Sequence, residues 1–316
     1  MALASRPTTR AIQELFSVLD YTDQVRLSQP SLGYSISRSQ ESSNVASNRY
    51  RDIYSYDHAL LPGEYLNASM IPPMYPCSMS FIASQAPLPS TLGAFYRHLV
   101  KQKIRALVNL TPCTENGRLK AHQYWPDSTD DKHAIQLDNG WTVTLDDQKD
   151  VQLAGGKATL VRRRLQIHTS SKATATGGWG ITQLHLSTWP DHGTFPTDLL
   201  LEVMSQVGLV PTPRIFPPPP VWIHCSAGVG RSGTLAAAMI AQAIINLHKA
   251  NNSPDSSSFN AVGDLLQRSE DAHIWDLPTR IVEHFRRFRP RMVQTETQFA
   301  ALFDIVRLLV QSKQAA

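Results

Sequence analysis

Apolar residues return at intervals of three and four in some stretches of this chain and at alternate positions in others. That contrast predicts where it coils and where it extends. Ile12, Leu15, Phe16 and Leu19 predict a short helix packed on the body of the protein. Leu92, Phe95, Tyr96, Leu99 and Val100 outline a second helix, followed by a buried strand from Ile104 to Leu110. Residues 141–145, 159–167 and 182–186 alternate as sheet strands do, with a turn region between Asp146 and Lys157 that carries Gly155 and Gly156. Val221, Trp222 and Ile223 read as a short strand and the alanine-rich run from Leu235 to Leu247 as a helix. Phe299, Leu302, Phe303, Val306, Leu309 and Val310 predict a final amphipathic helix that covers the sheet.

Polar and proline-rich stretches separate these elements. Serines and asparagines from Ser37 to Asn48 read as a link. Residues 211–220 hold six prolines and read as an extended surface connector, with a weak SH3-type ligand as the functional alternative. Residues 251–258 are a polar link, and 259–274 carry no functional signal.

The chemistry concentrates between the short strand and the alanine-rich helix, in His224-Cys225-Ser226-Ala227-Gly228-Val229-Gly230-Arg231-Ser232-Gly233-Thr234. A strand, a glycine-rich turn and a helix N-terminus aim successive backbone N–H groups into one concavity, which suits a phosphate. A free cysteine has a pKa of about 8.5, and amides, a helix dipole and a nearby arginine lower it, so Cys225 is a candidate thiolate nucleophile. The fork of Arg231 matches a phosphoryl group bidentately. Ser232 is placed to help the sulfur leave, and His224 to hold the Cys225 backbone. A Walker-type loop needs Lys before the Ser or Thr, and here Arg231 stands there. Gly228, Gly230 and Gly233 match the dinucleotide spacing G-x-G-x-x-G, but the Cys and Arg beside and inside it argue against a cofactor.

Trp189-Pro190-Asp191-His192-Gly193 supplies the second half of a phosphoryl transfer. A phenolate leaving group gains from general acid catalysis, and Asp191 on a Pro- and Gly-bounded turn is the candidate acid, with Trp189 as a hinge anchor.

Together these motifs resemble the protein tyrosine phosphatase family, in particular its tyrosine-specific, non-receptor members. The resemblance spans about residues 45–311 and rests on motifs in family order: Asn48 to Ile53, Glu64 to Ser69, Phe81 to Pro89, Thr111 to Pro126, the Asp191 turn, the Cys225 loop, and Met292-Val293-Gln294-Thr295 with Gln298. It implies one α/β (α+β) domain, a twisted mixed β-sheet flanked by helices, with 1–44 as an N-terminal extension and 312–316 as a tail. It also implies roles. Cys225 attacks phosphorus, Arg231 binds the phosphoryl oxygens, and Asp191 donates and then accepts a proton. Gln294, helped by Gln298, positions the water. Glu115 pairs with Arg231, and Lys120 contacts the Asp191 loop. Tyr50 walls the ring, Ile53, Ala227, Val229 and His192 line the pocket, and Asp52 accepts from the substrate backbone, while Ser226, Gly228 and Gly230 belong to the phosphate loop. Arg49 is framework.

Some of these residues have a second reason to exist. Thr295 and Gln298 form a capping box for the following helix. Two residues, Thr194 and Phe195, separate Gly193 from Pro196 where the family usually has one, so the loop is expected to rest differently. Arg291 replaces a small residue that opens a second phosphate pocket in some members.

Composition adds bounds. A formal charge of +4 is a mild excess, not the signature of a nucleic-acid binder. Part of it sits in Arg280, Arg286, Arg287, Arg289 and Arg291, readable either as an attractor for acidic phosphopeptides or as a solvated helix face. Cys77, Cys113 and Cys225 show neither metal-ligand nor disulfide spacing, which points to a reducing compartment. No run of about 18 apolar residues predicts membrane insertion. The expectation is a soluble cytoplasmic enzyme, with nuclear access open, that needs no cofactor or metal and acts on phosphotyrosine-containing proteins. A dual-specificity or phosphoinositide phosphatase and a catalytically silent phosphotyrosine-binding module are the alternatives.

Overall fold

The computed structural model describes residues 5–168, 178–213, 215–251 and 274–312. Among them, eight strands make one mixed sheet in the order β1-β2-β10-β3-β9-β8-β7-β6. These are β1 (Ala68–Ile71), β2 (Phe81–Ser84), β3 (Ala106–Asn109), β6 (Ile135–Gln136), β7 (Thr142–Leu153), β8 (Ala158–His168), β9 (Trp179–Leu186) and β10 (Val221–His224); β4 (Thr114–Glu115) and β5 (Arg118–Leu119) form a separate small hairpin. β2, β10, β3 and β9 run parallel, and β1, β8, β7 and β6 extend the sheet antiparallel on either side. The central strands are covered on both faces, which is why β2 and β3 are buried at every position instead of alternating.

Helices α1 (Thr9–Ser28), α5 (Thr197–Gly208), α6 (Gly230–Asn251), α7 (Leu277–Arg286) and α8 (Glu296–Gln311) share one hydrophobic core on one side of the sheet. Helix α4 (Leu92–Lys101) packs into a second core with Tyr124, Trp125 and Trp222. The short α2 (Ser37–Gln40) and α3 (Ser42–Val45) precede the sheet.

Three expectations change. Helix α1 is 20 residues long, not short, and Phe16 meets Phe299 of α8 at 5.7 Å. Its apolar stripe ends at Leu19, but Asp23 and Arg26 are buried against α7: Arg286 pairs with Asp20 at 2.7 Å, and Arg26 pairs with Glu283. Apolar periodicity does not register a face buried through ion pairs. The 37–48 stretch holds the short helices α2 and α3 and is mostly exposed, tied to the body through the buried Ser39, which donates to Ser55 O at 3.0 Å, and through Asn48, which donates to Ser39 O at 2.8 Å. The 146–157 region is mostly strand. β7 passes a bulge between Leu145 and Asp147 and continues to Leu153, its polar residues paired with 158–164 of β8. The 252–273 part of the segment after α6 lies outside the described residues.

Candidate active site

β10 ends at His224 and α6 begins at Gly230, so Cys225 to Val229 form a loop at the carboxyl ends of the parallel strands, where open α/β sheets place their ligand sites. Gly228 turns the loop at φ +72°, and a Cβ there would stand 1.9 Å from Ser84 O, so this backbone approach admits glycine alone. Val229, expected as pocket lining, is instead fully buried in the core, where it anchors the loop, and its carbonyl accepts from Gly233 N at 2.9 Å and Val293 N at 3.1 Å.

Cys225 is buried at the floor of the loop, and Gly228 N–H donates to its sulfur at 3.3 Å. Burial pushes the thiol up, but Arg231, Ser232 and the Gly228 N–H outweigh it and hold the thiol below its ordinary value. The Ser232 hydroxyl lies outside strict hydrogen-bond limits, so its share is that of a nearby dipole. His224 is pushed down to about 3 by burial and is therefore neutral; its Nδ1 meets Cys225 O at 3.0 Å and its Nε2 meets the Tyr124 hydroxyl at 2.6 Å. One tautomer satisfies both contacts, with Nδ1–H donating to the carbonyl and Tyr124 donating to Nε2.

Behind the loop stands Arg289, fully buried. It donates to Gly228 O and Ala227 O, both at 2.9 Å, to Asn67 Oδ1 and Ser55 Oγ, both at 2.8 Å, and to Ser69 Oγ at 3.4 Å. Arg286 is equally buried, bonded to Met292 O and Val293 O at 3.0 Å. Neither belongs to a solvated basic face or to a phosphopeptide attractor, because each side chain is consumed by internal acceptors. Sequence reasoning missed Arg289 as a loop support, and Asn67 in the Glu64 to Ser69 motif was the available hint.

In front of the loop the charged groups converge. Arg231 Nη1 donates to Trp189 O at 2.9 Å and to Glu115 Oε2 at 3.3 Å, and Nη2 to Asp191 Oδ1 at 3.1 Å. Its buried Nε has no partner among the described residues. Lys120 Nζ bonds Asp191 Oδ2 at 2.5 Å, and Asp191 N donates to Glu115 Oε1 at 2.8 Å. Burial raises the Asp191 carboxyl, but Lys120, Arg231 and His192 together hold it below the usual carboxylate range. The β4–β5 hairpin presents Glu115, as the Glu115–Arg231 and Lys120–Asp191 pairings require. Trp189 donates to Gly193 O at 3.1 Å and stacks on the buried Phe195 at 5.3 Å, so the extra residue after Gly193 fixes the turn against its own anchor.

Tyr50, Asp52, Ile53, Lys120, Asp191, His192, Cys225, Ser226, Ala227, Gly230, Arg231 and Gln294 line one pocket of about 290 Å³. Ser226 Oγ donates to Lys120 O at 2.6 Å, so the Tyr50 hydroxyl, also at 2.6 Å, donates to Ser226 and the wall is fixed. Gln298 stays outside the pocket. It caps α8 through Thr295, accepts from Gln294 N at 3.1 Å, and donates to Gly193 O at 3.4 Å, tying the glutamine loop to the Asp191 turn. Asp52 pairs with Arg291 at 2.9 Å on the rim. Arg49 holds Ala86 O at 3.1 Å and Pro87 O at 2.9 Å, as framework.

A cysteine at the foot of an amide-lined loop, an arginine above it and an aspartate on a facing turn define a phosphate-directed thiol site. Residues 44–307 match the family model described as protein-tyrosine phosphatase, and the chain belongs to that family. It is 33% identical over 286 residues to human receptor-type tyrosine-protein phosphatase H, covering 87% of this chain and 22% of that protein. It is 34% identical over 203 residues to the rat phosphatidylinositol phosphatase PTPRQ, covering 61% of this chain and 8% of that protein. The chain thus spans about a fifth or less of these curated relatives. In fold it is similar to PTPN18 solved in complex with HER2-pY1196 phospho-peptides, at a TM-score of 0.75 and 23% identity over 96% of this chain and 93% of that one. No helix among the described residues is long and apolar enough to cross a membrane.

Proposed function

We propose that this chain hydrolyses phosphotyrosine in proteins through a phosphocysteine intermediate. The observation that carries the reading is the buried Cys225, held toward the thiolate beneath Arg231 and within one pocket with Asp191.

The phosphoryl dianion enters against the loop amides and takes over Arg231, whose Nε is free to donate. Negative charge then stands beside Asp191 and raises its proton affinity, so the acid is formed on binding although the free protein holds a carboxylate. The Cys225 thiolate attacks phosphorus, the bond to the tyrosyl oxygen breaks, and the Asp191 proton passes to that oxygen. In the second step water, positioned by Gln294, attacks phosphorus while Asp191 takes its proton. The P–S bond breaks, phosphate leaves, and Ser232 stabilises the departing thiolate. Gln298 and Trp189 act by holding the two loops, and Glu115 and Lys120 by holding Arg231 and Asp191.

A buried nucleophile supports an aryl phosphate: Cys225 is buried and shares its pocket with Tyr50, an arrangement that favours the long phosphotyrosine side chain over the shorter phosphoserine and phosphothreonine. PTPN18, similar in fold, is solved with phosphotyrosine peptides. A phosphoinositide substrate is the second reading, favoured by the relative PTPRQ; the loop residues Ala227 to Gly230 carry no cation to meet additional ring phosphates. A silent binding module is disfavoured because Cys225, Arg231, Asp191 and Gln294 are all present and line one pocket, which supports turnover. We assign the protein to a reducing compartment such as the cytoplasm, a reading supported by three free cysteines and by the sensitivity of a thiolate to oxidation.

Parallel turnover of a phosphotyrosine peptide, a phosphothreonine peptide and a phosphoinositide tests the substrate class. Release of phosphate from the first alone is expected. Comparable rates on the other two contradict it, and binding of phosphotyrosine peptide without phosphate release under reducing conditions selects the module.

A further inference from the structure

At the opposite end of the sheet from the Cys225 loop, the amino-terminal ends of β3 and β9 meet β8 beside the segment that follows α5. Arg105, Arg162 and Arg164 line a cleft of about 490 Å³ there, floored by Gly180 and Thr182 and walled by Pro211 and Pro213. In the sheet register Arg162 faces Leu184 and Arg164 faces Thr182, so the two arginines project from the same face of β8, and Arg163 between them turns to the other face, into the core beside Trp125 and His185. The cleft shares no residue with the catalytic pocket.

Its cations are poorly compensated. Arg105 lies over the Trp179 ring at 3.6 Å and donates to Gly180 O at 2.9 Å, which fixes the guanidinium without a counter-charge. Arg162 has no carboxylate partner among the described residues. Arg164 has Asp146 at 3.9 Å, a long contact shared with the Gln166 amide, which donates to the same carboxylate at 3.0 Å. Three guanidiniums against one carboxylate, in a concave site of small-molecule size, form a receptor for a compact polyanion.

We propose that this cleft binds a compact ligand bearing two or more phosphate groups, held by Arg105, Arg162 and Arg164, as a site separate from the catalytic loop. The chemistry is shared by a free inositol polyphosphate and by a phosphoinositide headgroup at a membrane surface.

The test uses the full chain as Arg231→Met, which disables phosphate binding at the catalytic loop, with and without the further pair Arg162→Glu and Arg164→Glu. Inositol hexakisphosphate is titrated calorimetrically, and vesicles with and without phosphatidylinositol 4,5-bisphosphate are tested by co-sedimentation. Arg231→Met alone should bind in a salt-sensitive manner, and the charge-reversed protein at least about tenfold more weakly. The neutral pair Arg162→Gln and Arg164→Gln should weaken binding by an intermediate factor, and serves if charge reversal prevents folding. On the Arg231-containing background both pairs should leave phenyl phosphate turnover unchanged. Binding of the soluble polyphosphate alone assigns a free ligand, and vesicle binding with the same arginine dependence assigns a lipid headgroup; both uphold the cleft. Absence of binding by Arg231→Met, or binding that survives charge reversal and neutralisation, overturns it.

Discussion

Arg231 and Arg289 stand on opposite sides of one loop, both almost completely buried, and they are used in opposite ways. Arg289 places its five N–H groups on neutral oxygens, two of them carbonyls of the loop itself, and burial pushes it down to about 10. With the carbonyls of Ala227 and Gly228 drawn backward, the loop N–H groups are free to face forward. Arg231 in front is incompletely satisfied: its Nε is unpaired among the described residues and its two carboxylate partners come from other segments, the β4–β5 hairpin and the Asp191 turn. A closed set of hydrogen bonds builds a scaffold, and an open one waits for an anion.

Replacing each arginine separates the two functions. Arg231→Met should lower kcat/KM on a phosphotyrosine peptide by at least about 10²–10³-fold while lowering the thermal midpoint less than Arg289→Met does, because its carboxylate partners keep contact with water, as steady-state kinetics and calorimetry would show. Asp191→Asn should lower kcat by about 10²–10⁴-fold and remove the alkaline fall of the pH–rate profile, because the proton donor is lost while the binding groups remain. Arg289→Met should act first on stability, by about 3 kcal/mol or more, because it strands buried acceptors; a drop in thermal midpoint of roughly 5–10 °C is the readout. Equal losses of activity and of stability in Arg231→Met and Arg289→Met would dissolve the distinction.

Smaller effects sharpen it. His185 and His224 are pushed down to about 4 and about 3 by burial, below the value of about 6.5 for a free imidazole. Unfolding therefore takes up protons on the acid side, and the stability these rings contribute is complete above pH 6.5 and is lost as pH falls from there toward 4. The slope should approach about 1.4 kcal/mol per pH unit for each ring, checked by denaturation at stepped pH, and should be shallower in His224→Gln. Arg291→Gly should change stability least. It removes a rim ion pair with Asp52, worth about 0–1 kcal/mol, and relieves a residue held at φ +62°, so the two effects nearly cancel.

The same contrast explains what was legible in the sequence. Cys225, Arg231, Asp191, Glu115, Lys120 and Tyr50 sit in short motifs whose spacing encodes their geometry, and the structure brings them into one pocket or directly onto its charged groups. Strands β3, β9 and β10 and helices α4, α6 and α8 followed from the apolar pattern, whereas β2 was marked only by the family resemblance of Phe81 to Pro89. Arg289 and Arg286 were not legible, because burial of a cation depends on acceptors from Ser55, Asn67 and Asp20, distant in sequence. Val229 looked like pocket lining from its place in the motif, yet its side chain lies on the core side of the backbone. The lower half of α1 and the outer half of β7 were missed for one reason: polar pairing holds them, and apolar patterns do not report it.

The most direct test of the account is the ionisation of Cys225, measured as the pH dependence of its alkylation by iodoacetamide, with Cys225→Ser correcting for Cys77 and Cys113. The account predicts a midpoint below the ordinary thiol range, shifted upward in Arg231→Met. A midpoint that stays near the ordinary value of about 8.5 and does not respond to Arg231 would contradict it.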